Sequence, residues 1–201
     1  MLKLRKIAVT GPLCSGKTTV CEFFKKHGFE VIYTDQIVHD LLHFDRNCIQ
    51  QVKSLLGDDI ESSGQIDRKK VSRLVFNDNN KLDALEKILH PLVFQKVEAL
   101  IENCCKKNDR NFFVVEVPLL FEAGWNHYFD SIILVTSSKD SCLARAEKKG
   151  MSLSEYEQRS NRMIPINEKK AQADFIVSND ETLNELELQV INIVKKIKKT
   201  S

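Results

Sequence analysis

Residues 11–18 read Gly11-Pro12-Leu13-Cys14-Ser15-Gly16-Lys17-Thr18, which matches the phosphate-binding loop pattern G-x-x-x-x-G-K-[ST]. The apolar run 7–9 precedes this loop and a helical pattern follows it, which gives the strand, loop and helix that the motif requires. A glycine-containing surface turn is the alternative interpretation. With 7 glycines in 201 residues, a chance match is expected in about one such chain in a few hundred. The segment therefore predicts nucleotide binding.

Each position of the loop has a predicted role in holding nucleotide phosphates. Backbone N–H groups of such a loop point inward at phosphate oxygens, and Gly11 and Gly16 allow the backbone torsions and close approach that this needs. We expect Lys17 to reach the β- and γ-phosphates of ATP and the Thr18 hydroxyl to ligate Mg²⁺. The other loop positions predicted to contact ATP are Cys14, Ser15 and Thr19.

Composition argues against several other classes of protein. The chain is 42% hydrophobic and 29% charged, which is ordinary for a globular protein that buries one core. A formal net charge of +2 gives no field suited to nucleic acid, and we interpret the basic end 195–199 as a solvated helix terminus. No apolar stretch approaches the length needed to span a membrane, so neither nucleic acid nor membrane is an expected partner.

The first residues and the cysteines predict a cytoplasmic location. Residues 1–6 carry positive charge, but only three apolar residues follow before Thr10, too few for the hydrophobic part of a signal peptide. The six cysteines show neither C-x-x-C pairing nor metal-ligand spacing, and we expect them to be reduced thiols. The oligomeric state is left open.

Five apolar runs suited to buried parallel strands alternate with helical patterns. They occupy residues 6–10, 30–33, 112–117, 131–136 and 175–178. This alternation predicts an α/β fold, a doubly wound parallel sheet, in which the first helix runs from about Lys17 to Gly28.

Two long helical stretches interrupt the alternation. Residues 36–110 carry no convincing strand and are predicted to be a helical insertion beside the sheet, and a second charged helical stretch, about 139–172, also stands between strands. We expect the core to comprise about 1–35, 111–138 and 173–201. Insertions of this kind close over the substrates of phosphate-transfer enzymes and exclude water.

Two acidic residues end predicted strands at the edge where ligands bind in open α/β sheets. Asp35 follows the run 30–34 and could accept a hydroxyl proton or lie beside Mg²⁺, or it could merely cap a helix starting at Gln36. Glu116 ends the run Phe112-Phe113-Val114-Val115-Glu116 and matches the position of the carboxylate that positions Mg²⁺ in P-loop proteins. Alternatively, Glu116 is simply the polar residue at which the strand ends and has no role in binding metal.

Basic residues crowd the second helical stretch, 139–172, and guanidinium groups there can stabilise a transferring phosphoryl group. Interleaved acids leave open that most of these charges only face solvent. The basic residues are Arg145, Lys148, Lys149, Arg159 and Arg162.

Two further features have a simpler explanation. His90 precedes Pro91 in an apolar helical context, where a histidine is more often packed than catalytic. Residues 80–83 match N-K-x-D, which reads guanine in GTPases, but they follow a polar turn-like cluster and the chain has no D-x-x-G. We interpret this match as accidental.

In order and spacing, the motifs resemble those of the dephospho-CoA kinase family along nearly the whole chain. Besides the loop, the matching segments are Val31-Ile32-Tyr33-Thr34-Asp35, Asp67-Arg68 with Val75-Phe76, Leu89-His90-Pro91-Leu92-Val93, Val117-Pro118-Leu119-Leu120-Phe121-Glu122 and Ala173-Asp174-Phe175-Ile176-Val177-Ser178-Asn179. The resemblance implies transfer of the ATP γ-phosphate, with Mg²⁺, to the ribose 3′-hydroxyl of dephospho-CoA.

The resemblance also implies a P-loop kinase core, a helical domain on the CoA side at about 36–110 and a helical lid at about 139–172, and it implies roles for individual residues. Asp35 corresponds to the family's proposed general base, Arg145 and Arg159 to its lid arginines, and Asn179 to an ATP-side residue. The residues implied on the CoA side are His90, Pro118, Leu119, Phe121 and Glu122.

Three departures from the family pattern stand near the predicted site. Tyr33 replaces the first acid of V-I-D-A-D, Glu116 replaces an Asp, and Met163 replaces a Gln of the lid pattern R-x-x-x-Q-M-P. These changes affect details of the contacts more than the reaction. A P-loop kinase for another nucleotide and a nucleotide-binding switch are the alternatives, and the missing D-x-x-G argues against the switch.

Overall fold

The five apolar runs form one parallel sheet in the computed structural model, which describes residues 4–62, 65–76, 78–108 and 111–199. Strands, numbered along the chain, are β1 (Arg5–Thr10), β2 (Glu30–Tyr33), β3 (Glu61–Ser62), β4 (Gln65–Ile66), β5 (Phe112–Glu116), β6 (Ser131–Thr136) and β7 (Phe175–Ser178). The order in the sheet is β2-β5-β1-β6-β7 and every pair is parallel. The predicted doubly wound α/β fold is confirmed.

Helices connect these strands, as the alternating pattern predicts. They are α1 (Lys17–Lys26), α2 (Thr34–Phe44), α3 (Arg46–Leu56), α4 (Arg68–Phe76), α5 (Asn79–Asn108), α6 (Lys139–Lys148), α7 (Leu153–Ser160), α8 (Ile166–Gln172) and α9 (Leu183–Lys199). Helix α1 ends close to the predicted position, and Gly28 follows it with a φ of +86°, a conformation that glycine adopts without strain.

The chain divides into two compact units. One comprises the residues up to Tyr33 and from Cys104 onwards, and contains the five-stranded sheet; the other comprises Thr34–Asn103. In the first unit, α1 and α9 cover one face of the sheet and pack against Ile7, Val9 and Val114. Ala8 and Val115, which point the other way, are also fully buried. Burial on both faces explains why these strands are continuous apolar runs.

The second unit is helical but contains one feature that the sequence did not predict. Strands β3 and β4 pair antiparallel, with Glu61 opposite Ile66 and Ser62 opposite Gln65. The prediction that residues 36–110 contain no strand was therefore wrong. Two-residue strands are too short to show an alternating pattern, so the pair has no signal in the sequence.

None of the helices in the described ranges combines the length and apolar character needed to cross a bilayer. The six cysteines all fall within those ranges and are thiols.

Candidate active site

The phosphate loop connects β1 to α1 and needs glycine at both of its fixed positions. Gly11 has a φ of +149°, and a Cβ there would lie 2.2 Å from the carbonyl oxygen of Val135. Gly16 has a φ of +102°, and its Cβ would lie 2.1 Å from Nδ2 of Asn179. A side chain at either position would strain the backbone and collide with the neighbouring strand or loop. The G-x-x-x-x-G pattern is thus required by the packing of this loop.

Lys17 begins helix α1 and its side chain is buried at the loop. Its ammonium donates to the carbonyl oxygens of Gly11 at 3.1 Å and Pro12 at 2.9 Å. The first turn of α1 contains no acidic residue, so nothing in that turn offsets the positive end of the helix dipole. A buried cation and a helix N-terminus therefore meet at the loop, which suits it to bind phosphate.

Arg145 and Asn179 hold the loop from the side of strand β7. The side-chain amide of Asn179 donates to the carbonyl oxygen of Ser15 at 2.8 Å, and the backbone carbonyl oxygen of Asn179 accepts from Nη2 of Arg145 at 2.7 Å. Nη1 of Arg145 donates to Ser137 Oγ at 3.0 Å and to the carbonyl oxygen of Cys14 at 3.4 Å. The structure thus brings two of the predicted residues, Arg145 from α6 and Asn179, to the phosphate loop.

Thr18 and Glu116 meet where helix α1 starts and strand β5 ends. The threonine hydroxyl donates to Oε1 of Glu116 at 3.1 Å, and Glu116 is 9% exposed. Burial, followed by the charge of Glu116, raises the pKa of the nearby Cys21 thiol well above its usual value. Hydroxyl and carboxylate oxygens are the hard donors that Mg²⁺ prefers, so the pair fits the predicted metal role.

A second pair, Tyr33 and Glu22, joins helix α1 to β2, the strand next to β5, on which Tyr33 lies opposite Glu116. The Tyr33 hydroxyl donates to Oε1 of Glu22, which stands one helical turn beyond Thr18 on α1. Burial, and then this hydrogen bond, raises the pKa of Tyr33. Sequence reasoning identified Tyr33 only as a departure from the family and missed Glu22. The four-residue spacing between Thr18 and Glu22 was the available signal.

The two predicted lid arginines have different surroundings. Arg145 contacts the phosphate loop, as described above. Arg159 lies on α7 and forms an ion pair of 2.6 Å with Glu155 in the same helix. A contact between Arg159 and the phosphoryl group therefore stays a prediction.

The turn after β5 holds the four residues predicted for the CoA side in this unit. The carbonyl oxygen of Pro118 accepts a hydrogen bond from Thr10 at 3.3 Å, Leu119 is half-buried and Phe121 is buried. Oε1 of Glu122 accepts the backbone N–H of Ile164 at 2.8 Å and lies 2.7 Å from Nζ of Lys169. No local sequence pattern indicates the partners of Glu122.

The remaining predicted residues lie in the second compact unit. Helix α2 begins at Thr34, two residues earlier than the capping alternative requires, and Asp35 is an exposed residue of its first turn. His90 lies inside α5, where burial lowers the pKa of its imidazole. The N-K-x-D match lies in the first turn of α5, and Asp78 accepts the N–H groups of Asn80 and Lys81 there.

The fold and the phosphate loop at the carboxyl edge of its sheet define a P-loop kinase. The family model described as dephospho-CoA kinase matches residues 5–185. The chain belongs to the dephospho-CoA kinase family.

Individual relatives agree with this assignment. The chain is 39% identical over 200 residues to a dephospho-CoA kinase of Protochlamydia amoebophila, covering 98% of each chain. Among solved structures, a Thermus thermophilus protein has a TM-score of 0.80 at 28% identity, with 96% and 98% of the two chains covered. The dephospho-CoA kinase from Campylobacter jejuni has a TM-score of 0.70 at 27% identity, with 97% and 98% covered.

Proposed function

We propose that this protein transfers the γ-phosphoryl group of ATP to the ribose 3′-hydroxyl of dephospho-CoA, giving CoA and ADP, as a cytoplasmic enzyme. The observation that carries the proposal is the family match over residues 5–185, which includes the built phosphate loop with Lys17 buried in it. Dephospho-CoA kinase is a kinase family, and ATP use follows from it. The expected partners are the two small-molecule substrates.

Lys17 and the start of α1 are proposed to hold the β- and γ-phosphates. The ammonium already lies among loop carbonyls, within reach of any anion that the N–H groups bind. As charge moves toward the leaving oxygen, a positioned cation stabilises the transition state more than the ground state. We expect Gly11, Cys14, Ser15, Gly16 and Thr19 to contact ATP through the same loop.

Thr18 and Glu116 are proposed to hold Mg²⁺. The metal, when bound, neutralises charge on the β- and γ-phosphates. The described residues contain no group of three or more histidine, cysteine or acidic side chains that could hold a metal ion. That agrees with Mg²⁺, which proteins bind through one or two side chains while phosphates and water supply the other ligands.

Arg145 and Arg159 are proposed to stabilise the transferring phosphoryl group from the lid. Arg145 is positioned for this by its contacts to Cys14 of the loop, to Ser137 and to Asn179. Its planar guanidinium can donate to several oxygens at once, as a trigonal phosphoryl group requires. Asn179, which holds the same loop, is proposed to support ATP binding.

Asp35 is proposed to orient and deprotonate the 3′-hydroxyl of dephospho-CoA. It follows β2 by two residues, at the strand end where parallel sheets bind ligands, and its side chain is exposed. A ribose hydroxyl is a weak nucleophile, and a carboxylate can align it and accept its proton. We further propose that His90, Pro118, Leu119 and Phe121 bind the CoA side of this substrate.

An assay of ADP release across several acceptors tests the proposed function. The acceptors are dephospho-CoA, adenosine and AMP, each with Mg·ATP and a no-acceptor control. We expect turnover with dephospho-CoA to exceed that with either alternative by at least about 10³-fold in kcat/KM, because sites built to bind polar groups reject substrates that lack them. Equal turnover of adenosine, or ADP release without an acceptor, would overturn the proposal.

A further inference from the structure

One carboxylate ties the end of the lid to the turn after β5. Glu122 stands in that turn, and its Oε1 is shared by the backbone N–H of Ile164 and the ammonium of Lys169. Ile164 immediately precedes Pro165 and helix α8, and Lys169 is inside α8. A single oxygen therefore holds two points of the segment that leads back from the lid to the sheet.

The turn that carries Glu122 is itself closed by backbone hydrogen bonds. The N–H of Ala123 donates to Leu119 at 2.9 Å, and that of Trp125 donates to Leu120 at 3.0 Å. Leu120 is fully buried beneath the turn. Glu122 thus projects from a fixed base, so the position of its carboxylate is set by the sheet side of the unit.

The ion pair is buried to an unusual degree. The Lys169 side chain is 1% exposed and that of Glu122 is 15% exposed. Within the described residues, Glu122 supplies the one carboxylate within 4 Å of this ammonium, and the two atoms are 2.7 Å apart. The second oxygen, Oε2, is buried and has no hydrogen-bond partner in the described part of the chain.

Such a pair is not explained by stability alone. Desolvating two charges costs about as much as their attraction returns, so neutral residues of similar size are often equally stable or better. What the pair does supply is a fixed position for the chain that follows Arg159.

We propose that Glu122 and Lys169 are positioning residues that fix the carboxyl-terminal end of the lid, so that Arg159 is aligned on the transferring phosphoryl group. This inference rests on the proposed kinase function. Arg159 is five residues before Ile164, so a shift of Ile164 is transmitted directly to it. Glu122 then acts through the lid, whereas the family resemblance assigns it to substrate binding.

Neutral variants of the pair separate a positioning role from a structural one. Lys169→Met leaves the Glu122 charge buried without its partner and is expected to lower Tm. The double variant Glu122→Gln with Lys169→Met removes both charges and is expected to recover most of that loss. Its kcat is expected to stay at least about tenfold below wild type, with both KM values within about threefold, because misaligned lid contacts affect mainly the transition state. Lys170→Met, at the exposed neighbouring lysine, is the matched control and should match wild type.

Two kinetic results with these variants would overturn the proposal. Wild-type kcat in the double variant would make the pair purely structural. A rise of about tenfold in the dephospho-CoA KM with Glu122→Gln, while Lys169→Met leaves that KM unchanged, would make Glu122 a substrate ligand.

A measurement that needs no turnover distinguishes this inference from the proposed function. Amide hydrogen exchange of α7 is expected to be faster in the double variant than in wild type or Lys170→Met, whichever substrate the enzyme uses. Unchanged exchange would overturn the positioning role even if dephospho-CoA is the substrate.

If the double variant fails to fold, Lys169→Arg is the alternative variant, because it keeps the positive charge but displaces it. The kcat of Lys169→Arg should fall while its Tm is retained, and an unchanged kcat would count against the proposal.

Discussion

The hydroxyl of Thr18 donates to Oε1 of Glu116 at 3.1 Å, although the two residues are 98 positions apart in the chain. The contact joins the first turn of α1 to the carboxyl end of β5, and Glu116 lies opposite Val9 in the parallel register of β1 and β5. The phosphate loop therefore starts from a strand whose neighbour supplies the carboxylate. Two oxygen donors at this point support the proposed Mg²⁺ site.

Glu116→Gln is expected to weaken Mg²⁺ dependence without disturbing the fold, because the amide keeps an acceptor for Thr18 but loses the charge. The Mg²⁺ concentration for half-maximal activity should rise by about tenfold or more. Binding of Mn²⁺ to the enzyme with ADP, followed by electron paramagnetic resonance, should weaken in parallel. Glu116→Asp, which keeps the charge, is the control; equal Mg²⁺ dependence of wild type and the Gln variant would remove Glu116 from the metal site.

Arg145→Ala and Arg159→Ala are expected to differ in their effects. Both should lower kcat by about tenfold or more, because their guanidinium groups are proposed to stabilise the transferring phosphoryl group. Arg145→Ala alone should also weaken ADP binding, since it removes the contacts to Cys14 and Asn179 that hold the loop. Calorimetric titration with Mg·ADP checks this, and equal loss of ADP affinity in the two variants would contradict it.

Asp35→Asn is expected to lower kcat by about 10²-fold or more while ATP affinity stays nearly unchanged, because a general base acts on the acceptor. Single-turnover quench experiments would isolate the chemical step. Asp40→Asn, on the same helix, is the control, since its carboxylate bonds to Gln36. If the rate of the chemical step falls by less than about threefold, Asp35 is not the general base and only stabilises the first turn of α2 through its negative charge.

Burial of His90 is expected to make the folded protein less stable as the pH falls. Burial lowers its pKa in the folded state, partly opposed by the charge of Glu86. The unfolded chain therefore binds the proton more tightly, and stability is lost as pH falls through the ordinary value of about 6.5. His90→Gln should lose less stability than wild type between about pH 7.5 and about pH 5 in urea unfolding. The exposed His127→Gln is the control, and the same pH slope in all three proteins would contradict the assignment.

The five strands of the parallel sheet were predictable because a sheet buried on both faces leaves continuous apolar runs in the sequence. The positions of Gly11 and Gly16 were predictable because their backbone angles exclude other residues. Lys169 was not predictable as a buried cation, because one lysine in the charged run 168–170 looks like its exposed neighbours. The bond between Tyr33 and Glu22 was missed for a related reason. The four-residue spacing places Glu22 on the same face of α1 as Thr18, but its contact with Tyr33 depends on β2 lying beside β5, which no local pattern encodes.

The position of the transferred phosphate tests the central claim most directly. Dephospho-CoA is incubated with Mg·ATP labelled at the γ-phosphate, and the product is examined by ³¹P NMR and by release of the label with a 3′-specific phosphatase. We predict label only on the 3′-oxygen of the adenosine ribose, with one ADP formed for each CoA. Label at the 2′-oxygen, or label released as inorganic phosphate with dephospho-CoA unchanged, would contradict the account.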